Sequence, residues 1–77
     1  MDIDYLRKEI DALDSKIVDL LNERAKIVLK IGEIKKQNQA QMYVPNREQA
    51  VYSRIKSQNK GPLTDECLVA IYRELMA

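Results

Sequence analysis

Histidine, tryptophan and phenylalanine are absent from this 77-residue sequence, and cysteine occurs once, at Cys67. A single thiol excludes an internal disulfide. Without histidine there is no imidazole base for a serine or cysteine nucleophile, and no Cys/His cluster that would hold zinc. No Gly-rich phosphate loop is present either. We therefore expect neither a metal nor a cofactor. Four tyrosines are the only aromatic residues, which leaves no Trp or Phe platform on which bases could stack. Thirteen basic and twelve acidic residues give a formal net charge of +1, so there is no basic footprint for nucleic acid. No apolar run approaches the roughly 20 residues of a membrane span. The start, Met1-Asp2-Ile3-Asp4, is acidic and has no signal-peptide apolar region. No membrane and no nucleic-acid partner is expected, and a cytoplasmic location is.

The length allows one domain, spanning 1–77. A domain of this size buries only roughly 60% of the surface its unfolded chain exposes, and is marginal alone. Small domains compensate with disulfides, a metal or oligomerisation. Composition removes the first two, and oligomerisation is left.

Glycine and proline are sparse: Gly32, Pro45, Gly61 and Pro62. No repeat and no alternating strand pattern is visible, so the fold class is all-α with three helices, one long and two short. Apolar residues fall at Leu6, Ile10, Leu13, Ile17, Leu20, Ile27, Ile31 and Ile34 in steps of three and four, a heptad seam. This predicts a first helix over about 4–38, with Asp2 or Asp4 capping its start. Gly32 costs about 1 kcal/mol relative to Ala inside a helix, and either close packing or a slight bend would account for it. Pro45 suits the first turn of a second helix over about 45–58. Asn59-Lys60-Gly61-Pro62 then stops it. Thr64 caps a third helix over about 64–77, with Asp65 and Glu66 favoured in its first turn by the helix dipole. Leu68, Ile71, Tyr72 and Leu75 give it one apolar face. The sequence ends at Leu75-Met76-Ala77 without a stop signal, which suggests a helix cut short.

The first helix would be about 50 Å long, and the other two together about 40 Å. Neither short helix covers the whole seam, and the connections are short. A second copy resolves this, with two long helices packed along their seams, so a homodimer is predicted. A plain coiled-coil segment with a disordered tail is the alternative, weakened by the helix signals after Pro45.

One residue breaks the seam. Arg24 sits between Leu20 and Ile27, where the heptad calls for an apolar side chain. A buried guanidinium without an anion costs several kcal/mol. It could be internally paired or set the register. It could also bind an anion, and Lys35 favours that reading. Lys35 lies eleven residues on, about 20° around the helix, with Val28 and Ile31 between. Two cations over an apolar floor suit an elongated anion. Arg7 is seventeen residues before Arg24 and about 100° around, so it points to a different face and a different site, which in a dimer can be the partner's. Arg47 and Glu48 add a cation and a carboxylate at the start of the second helix, where an ordinary solvated turn is the simpler reading. These fixed charges suit charge stabilisation and substrate folding without covalent or proton-transfer chemistry. A pericyclic rearrangement of a dicarboxylate fits.

These residues also carry a resemblance. Leu6-Arg7-Lys8-Glu9-Ile10-Asp11-Ala12-Leu13-Asp14, Leu20-Leu21-Asn22-Glu23-Arg24, Ile31-Gly32-Glu33-Ile34-Lys35 and Val44-Pro45-Asn46-Arg47-Glu48 together resemble the all-helical chorismate mutase family, over Ile3 to about Met76. The style is similar to the N-terminal mutase domain of bifunctional enzymes that also carry a prephenate dehydratase. The resemblance implies a cofactor-free Claisen rearrangement of chorismate to prephenate, in aromatic amino-acid biosynthesis. It implies an intertwined homodimer with two equivalent sites. Arg24 would bind one carboxylate of the substrate and Arg7, crossing from the other protomer, the second. Lys35 would contact the ether oxygen, Glu48 would hold the ring hydroxyl, and Arg47 would support the acidic groups. Val44 stands where some members carry an Asp; a backbone contact would remain. The family's last helix carries a hydroxyl residue and a Gln or Glu beyond the level of Ala77, so reduced activity is expected of a chain that ends there. Two competing readings are a mutase-like binding or regulatory module and a structural dimerisation helix.

Overall fold

The computed structural model describes residues 2–38 and 47–76. Every described element is helical: α1 (Ile3–Asn38), α2 (Arg47–Gln58) and α3 (Asp65–Leu75). The chain divides into two compact units, Met1–Met42 and Tyr43–Ala77.

The first unit is α1, whose 36 residues make it about 54 Å long. Asp2 is the cap that starts it. Its carboxylate accepts from the Asp4 backbone N–H at 3.2 Å, and its carbonyl accepts from the Leu6 N–H at 3.2 Å. That satisfies one of the helix's exposed donors and places the start at Ile3, one residue before the predicted one. Asp4 in the first turn and Lys35 and Lys36 in the last match the charges at the two ends of the helix dipole. The interior is filled by good helix formers. Gly32 is the exception, and a Cβ added there would meet nothing within 4 Å. No described apolar side chain of α1 is buried; Leu20 is 63% exposed and Leu29 70%. The half-buried side chain of this helix is Arg24, every other described one being exposed.

The second unit is an α2–α3 hairpin. Val51, Tyr52 and Ile55 on α2 are buried, with 2% of Val51 exposed, and they form the core among the described residues. Their spacing of one and then three residues places them on one face, and α3 packs against α2. On α3, Leu68, Tyr72 and Leu75 are half-buried, as the predicted apolar face requires, together with Val69 and, just past the helix, Met76. Ile71, assigned to the same face, is instead 46% exposed. One step of 100° from Tyr72 is enough to carry it off the contact. Pro45, the expected start of α2, lies outside the described residues, and the described helix begins at Arg47.

The turn between α2 and α3 is organised by one side chain. Asn59 donates through Nδ2 to the Leu63 carbonyl at 2.9 Å and to Asp65 Oδ1 at 2.7 Å, while its Oδ1 accepts from the Gly61 N–H at 2.9 Å. Gly61 has φ of 73°, a left-handed conformation that glycine adopts without steric cost. The Gly61–Pro62 peptide is cis. Thr64, extended at φ −74° and ψ 158°, caps α3, its hydroxyl accepting from the Cys67 N–H at 3.1 Å. Thr64 thus fills the predicted capping role. Asn59 ties the end of α2 to the start of α3 through its bond to Asp65.

Asn59→Ala removes three hydrogen bonds from this turn, each worth about 0.5–1.5 kcal/mol net. We expect it to lower the hydrogen-exchange protection of the α2 and α3 amides by roughly 1.5–4.5 kcal/mol, and more than Thr64→Ala, which loses one cap at about 1 kcal/mol. Equal protection in Asn59→Ala and the parent chain would show that the turn holds without this side chain.

Candidate active site

The anion-binding candidates on α1 are arranged as the heptad dictates. Arg24 replaces an apolar residue within the seam, and Ile31 lies two turns further along it. Val28 and Lys35 are neighbours of the seam, seven residues apart and hence on one line. The floor between the two cations is apolar: Val28 is 51% exposed and Ile31 43%. This face combines two cations with hydrocarbon, which suits a ligand having charged ends and an apolar body. Lys35 is exposed and Arg24 half-buried. A guanidinium sheltered this way sits in a lower dielectric than a solvated one, and its pull on an anion is correspondingly stronger.

Arg7 is near the start of the same helix, where it forms an ion pair with Asp4 at 3.7 Å. Both side chains are more than 70% exposed, 72% and 77%. Such an exposed pair contributes little and is readily exchanged for another anion. Along the helix axis Arg7 is about 25 Å from Arg24, so one α1 does not bring the two together.

Arg47 and Glu48 belong to the other unit. Both are exposed in the first turn of α2, where the carboxylate of Glu48 is favoured by the helix N-terminus. Val44 lies outside the described residues. The structure therefore groups Arg24 and Lys35 on one helix face, places Arg7 at a distant level of it, and places Arg47 and Glu48 side by side on α2.

A groove at the α2–α3 turn, lined by Ile55, Asn59, Pro62, Leu63, Leu68 and Tyr72, contains none of these residues. Its one cation is Lys60, with no second charge converging on it. It lacks the paired charges that a dicarboxylate needs. Among the described residues, no group of three or more His, Cys, Asp or Glu side chains is placed to hold a metal ion. No described helix is long and apolar enough to cross a membrane. Cys67 is exposed and forms no disulfide.

Known proteins share both the sequence and the fold. Residues 6–77 match the family described as chorismate mutase type II. A bifunctional chorismate mutase/prephenate dehydratase of Aquifex aeolicus is 46% identical over 76 residues, which cover 94% of this chain and 21% of that protein. The chain thus spans about a fifth of the length of such bifunctional relatives. A chorismate mutase of Methanocaldococcus jannaschii is 38% identical over 61 residues, covering 79% of this chain and 62% of that protein. A solved chorismate mutase structure from Thermus thermophilus superposes with a TM-score of 0.89 at 32% identity, covering 96% of this chain and 92% of that one. With the family pattern matched from Leu6 onward and the helical fold shared with a solved member, this chain belongs to the chorismate mutase type II family.

Proposed function

We propose that this chain is a single chorismate mutase domain, which rearranges chorismate to prephenate as an intertwined homodimer. The observation that carries this reading is the Arg24–Lys35 face of α1, where a half-buried cation interrupts an otherwise apolar seam. A cation at that level, with Lys35 further along the same face and apolar side chains between, suits an elongated dicarboxylate.

The homodimer is supported by the apolar stripe of α1, which has no buried side chain among the described residues. Burying it gains about 25 cal/mol per Å² removed from water. A second copy carries the matching stripe. The direction of pairing follows from Arg7. In a parallel pair, the partner's Arg7 would stay about 25 Å from Arg24. In an antiparallel pair with its two-fold axis at about the level of Val18, residue 7 of one helix lies opposite the 24–35 region of the other. The lateral placement agrees. Counted on the 3.5-residue period of packed helices, Arg7, Val28 and Lys35 all occupy the position that follows the seam residue Leu6, Ile27 or Ile34. A two-fold axis between antiparallel helices keeps each such position on the same side of both. On that period Arg7 stands about 50° from Arg24 rather than the 100° of a straight helix. The partner's Arg7 thereby joins Arg24 and Lys35 in one site, giving two equivalent sites per pair.

The roles follow from what the reaction needs. In the rearrangement one C–O bond breaks as one C–C bond forms, with no proton transferred and no covalent link to the protein. Catalysis must then come from holding the chain of reacting atoms folded and from stabilising the charge that builds on the ether oxygen. Arg24 and the second copy's Arg7 would hold the two carboxylates and so fix the folded conformer. The Lys35 ammonium would face the ether oxygen as negative charge develops. Glu48 would accept from the ring hydroxyl, Arg47 would support the acidic groups, and Val44 would offer a backbone contact. None of these steps requires a metal or cofactor. A cytoplasmic site of action, in aromatic amino-acid biosynthesis, fits a domain of this class.

Two outcomes follow. Lys35→Ala and Arg24→Ala should each lower kcat/KM by about 10²–10³, the usual worth of one charge-stabilising donor. Chorismate loss followed by absorbance, with helicity checked by circular dichroism, measures this. Turnover within tenfold of the parent chain would remove both residues from the mechanism. Specific activity should also fall on dilution, in step with the loss of dimer by sedimentation, because neither protomer holds a complete site. Activity independent of concentration in solutions shown to be monomeric would exclude a site shared between two copies.

A further inference from the structure

Gly32 lies in the interior of α1, where helix propensity disfavours it. Among the described residues, a Cβ added there would meet nothing within 4 Å, so no described neighbour requires the missing side chain. What it borders is the candidate site. Gly32 follows Val28 by four residues and precedes Lys35 by three, so it is the surface neighbour of both. Together with Val28 and Lys35 it forms a shelf beside the seam. The antiparallel pairing brings the second copy's Arg7 to this same side and level.

We propose that Gly32 is a clearance position. It keeps the shelf between Val28 and Lys35 open for the end of the dicarboxylate that the second copy's Arg7 holds. The inference rests on the mutase reading and on the antiparallel pair. A side chain at 32 would stand where that end of the ligand and the incoming guanidinium meet. Gly32 itself touches no reacting atom, and its effect runs through the placement of Arg7 and the substrate.

The test uses the asymmetry of a shared site. An Arg7→Ala chain and an Arg24→Ala chain, refolded together, form a mixed dimer. One of its sites is intact, built from Arg24, Gly32 and Lys35 of the Arg7→Ala chain and from Arg7 of the other. The second site lacks both arginines. Gly32→Leu is then added to one chain at a time, and chorismate turnover is measured at equal dimer content. Placed on the Arg7→Ala chain, it should lower the rescued kcat/KM at least tenfold, with Gly32→Ala giving a smaller loss. Placed on the Arg24→Ala chain, it should leave turnover within twofold, because that copy of Gly32 lines the dead site. Loss from both placements would assign Gly32 to folding or dimer packing, and loss from neither would show that the shelf tolerates a side chain; each overturns the proposal. Failure of the unmodified mixture to regain activity, when the parent chain turns over chorismate, overturns the shared site and this inference with it. A parent chain without turnover overturns the mutase reading itself.

Discussion

The constraint on which the reading of this protein turns is the apolar stripe of α1, which no described residue of the chain buries. A 36-residue helix carries apolar side chains in three- and four-residue steps along its length, and none of those described is buried. An isolated helix gains little from propensity alone, and most helical stability in proteins comes from burying an amphipathic face. The stripe is therefore the main unused source of stability in the molecule. Its length matters as much as its hydrophobicity, because a partner must run beside it for many turns. A second α1 meets that condition by symmetry.

The same stripe bears on the proposed site. Arg24 is the half-buried side chain of α1, and in the proposed pair it would stand where helix packing excludes water and would hold an anion as a sheltered charge. Lys35 and Val28 stand one step aside, at the edge of the seam. In the proposed function, packing and binding would share one face of one helix. In the proposed pair, the contact that stabilises the protein is also the contact that completes the site through the second copy's Arg7. Stability and activity would then depend on the same association.

The second unit is held by different means. Its core is Val51, Tyr52 and Ile55, and its turn is held by polar groups. Asn59 bonds forward to Gly61, Leu63 and Asp65, and Thr64 caps α3 within the same few residues. A short hairpin with so small a core depends on such directional bonds to fix the angle between its helices. Arg47 and Glu48 sit at the far end of α2 from that turn, in its first helical turn.

Much of this was legible in the sequence because it is local. Helical periodicity, the capping residues Asp2 and Thr64, and the stop at Asn59-Lys60-Gly61-Pro62 depend on neighbours within a few residues. Arg24 could be singled out because it violates a pattern that its own helix sets. Lys35 and Arg7 followed from their angular offsets from Arg24 on the same helix, and Arg47 and Glu48 from the start of the second; the family motifs added only the role expected of each. The sequence did not disclose Asn59, because an asparagine after a helix is common in turns and its bond to Asp65 spans two elements. Nor did it separate Ile71 from Tyr72. Both are apolar and adjacent, and a contact between α2 and α3 decides which is covered. What the sequence by itself determined is therefore where the helices run and which residues share a face, since backbone geometry repeats every few residues. Only the tertiary structure decided that Val51, Tyr52 and Ile55 are buried while Ile71 is not, and that Arg24 is the sheltered side chain of α1. Burial is set by groups distant in sequence, and no local period encodes it.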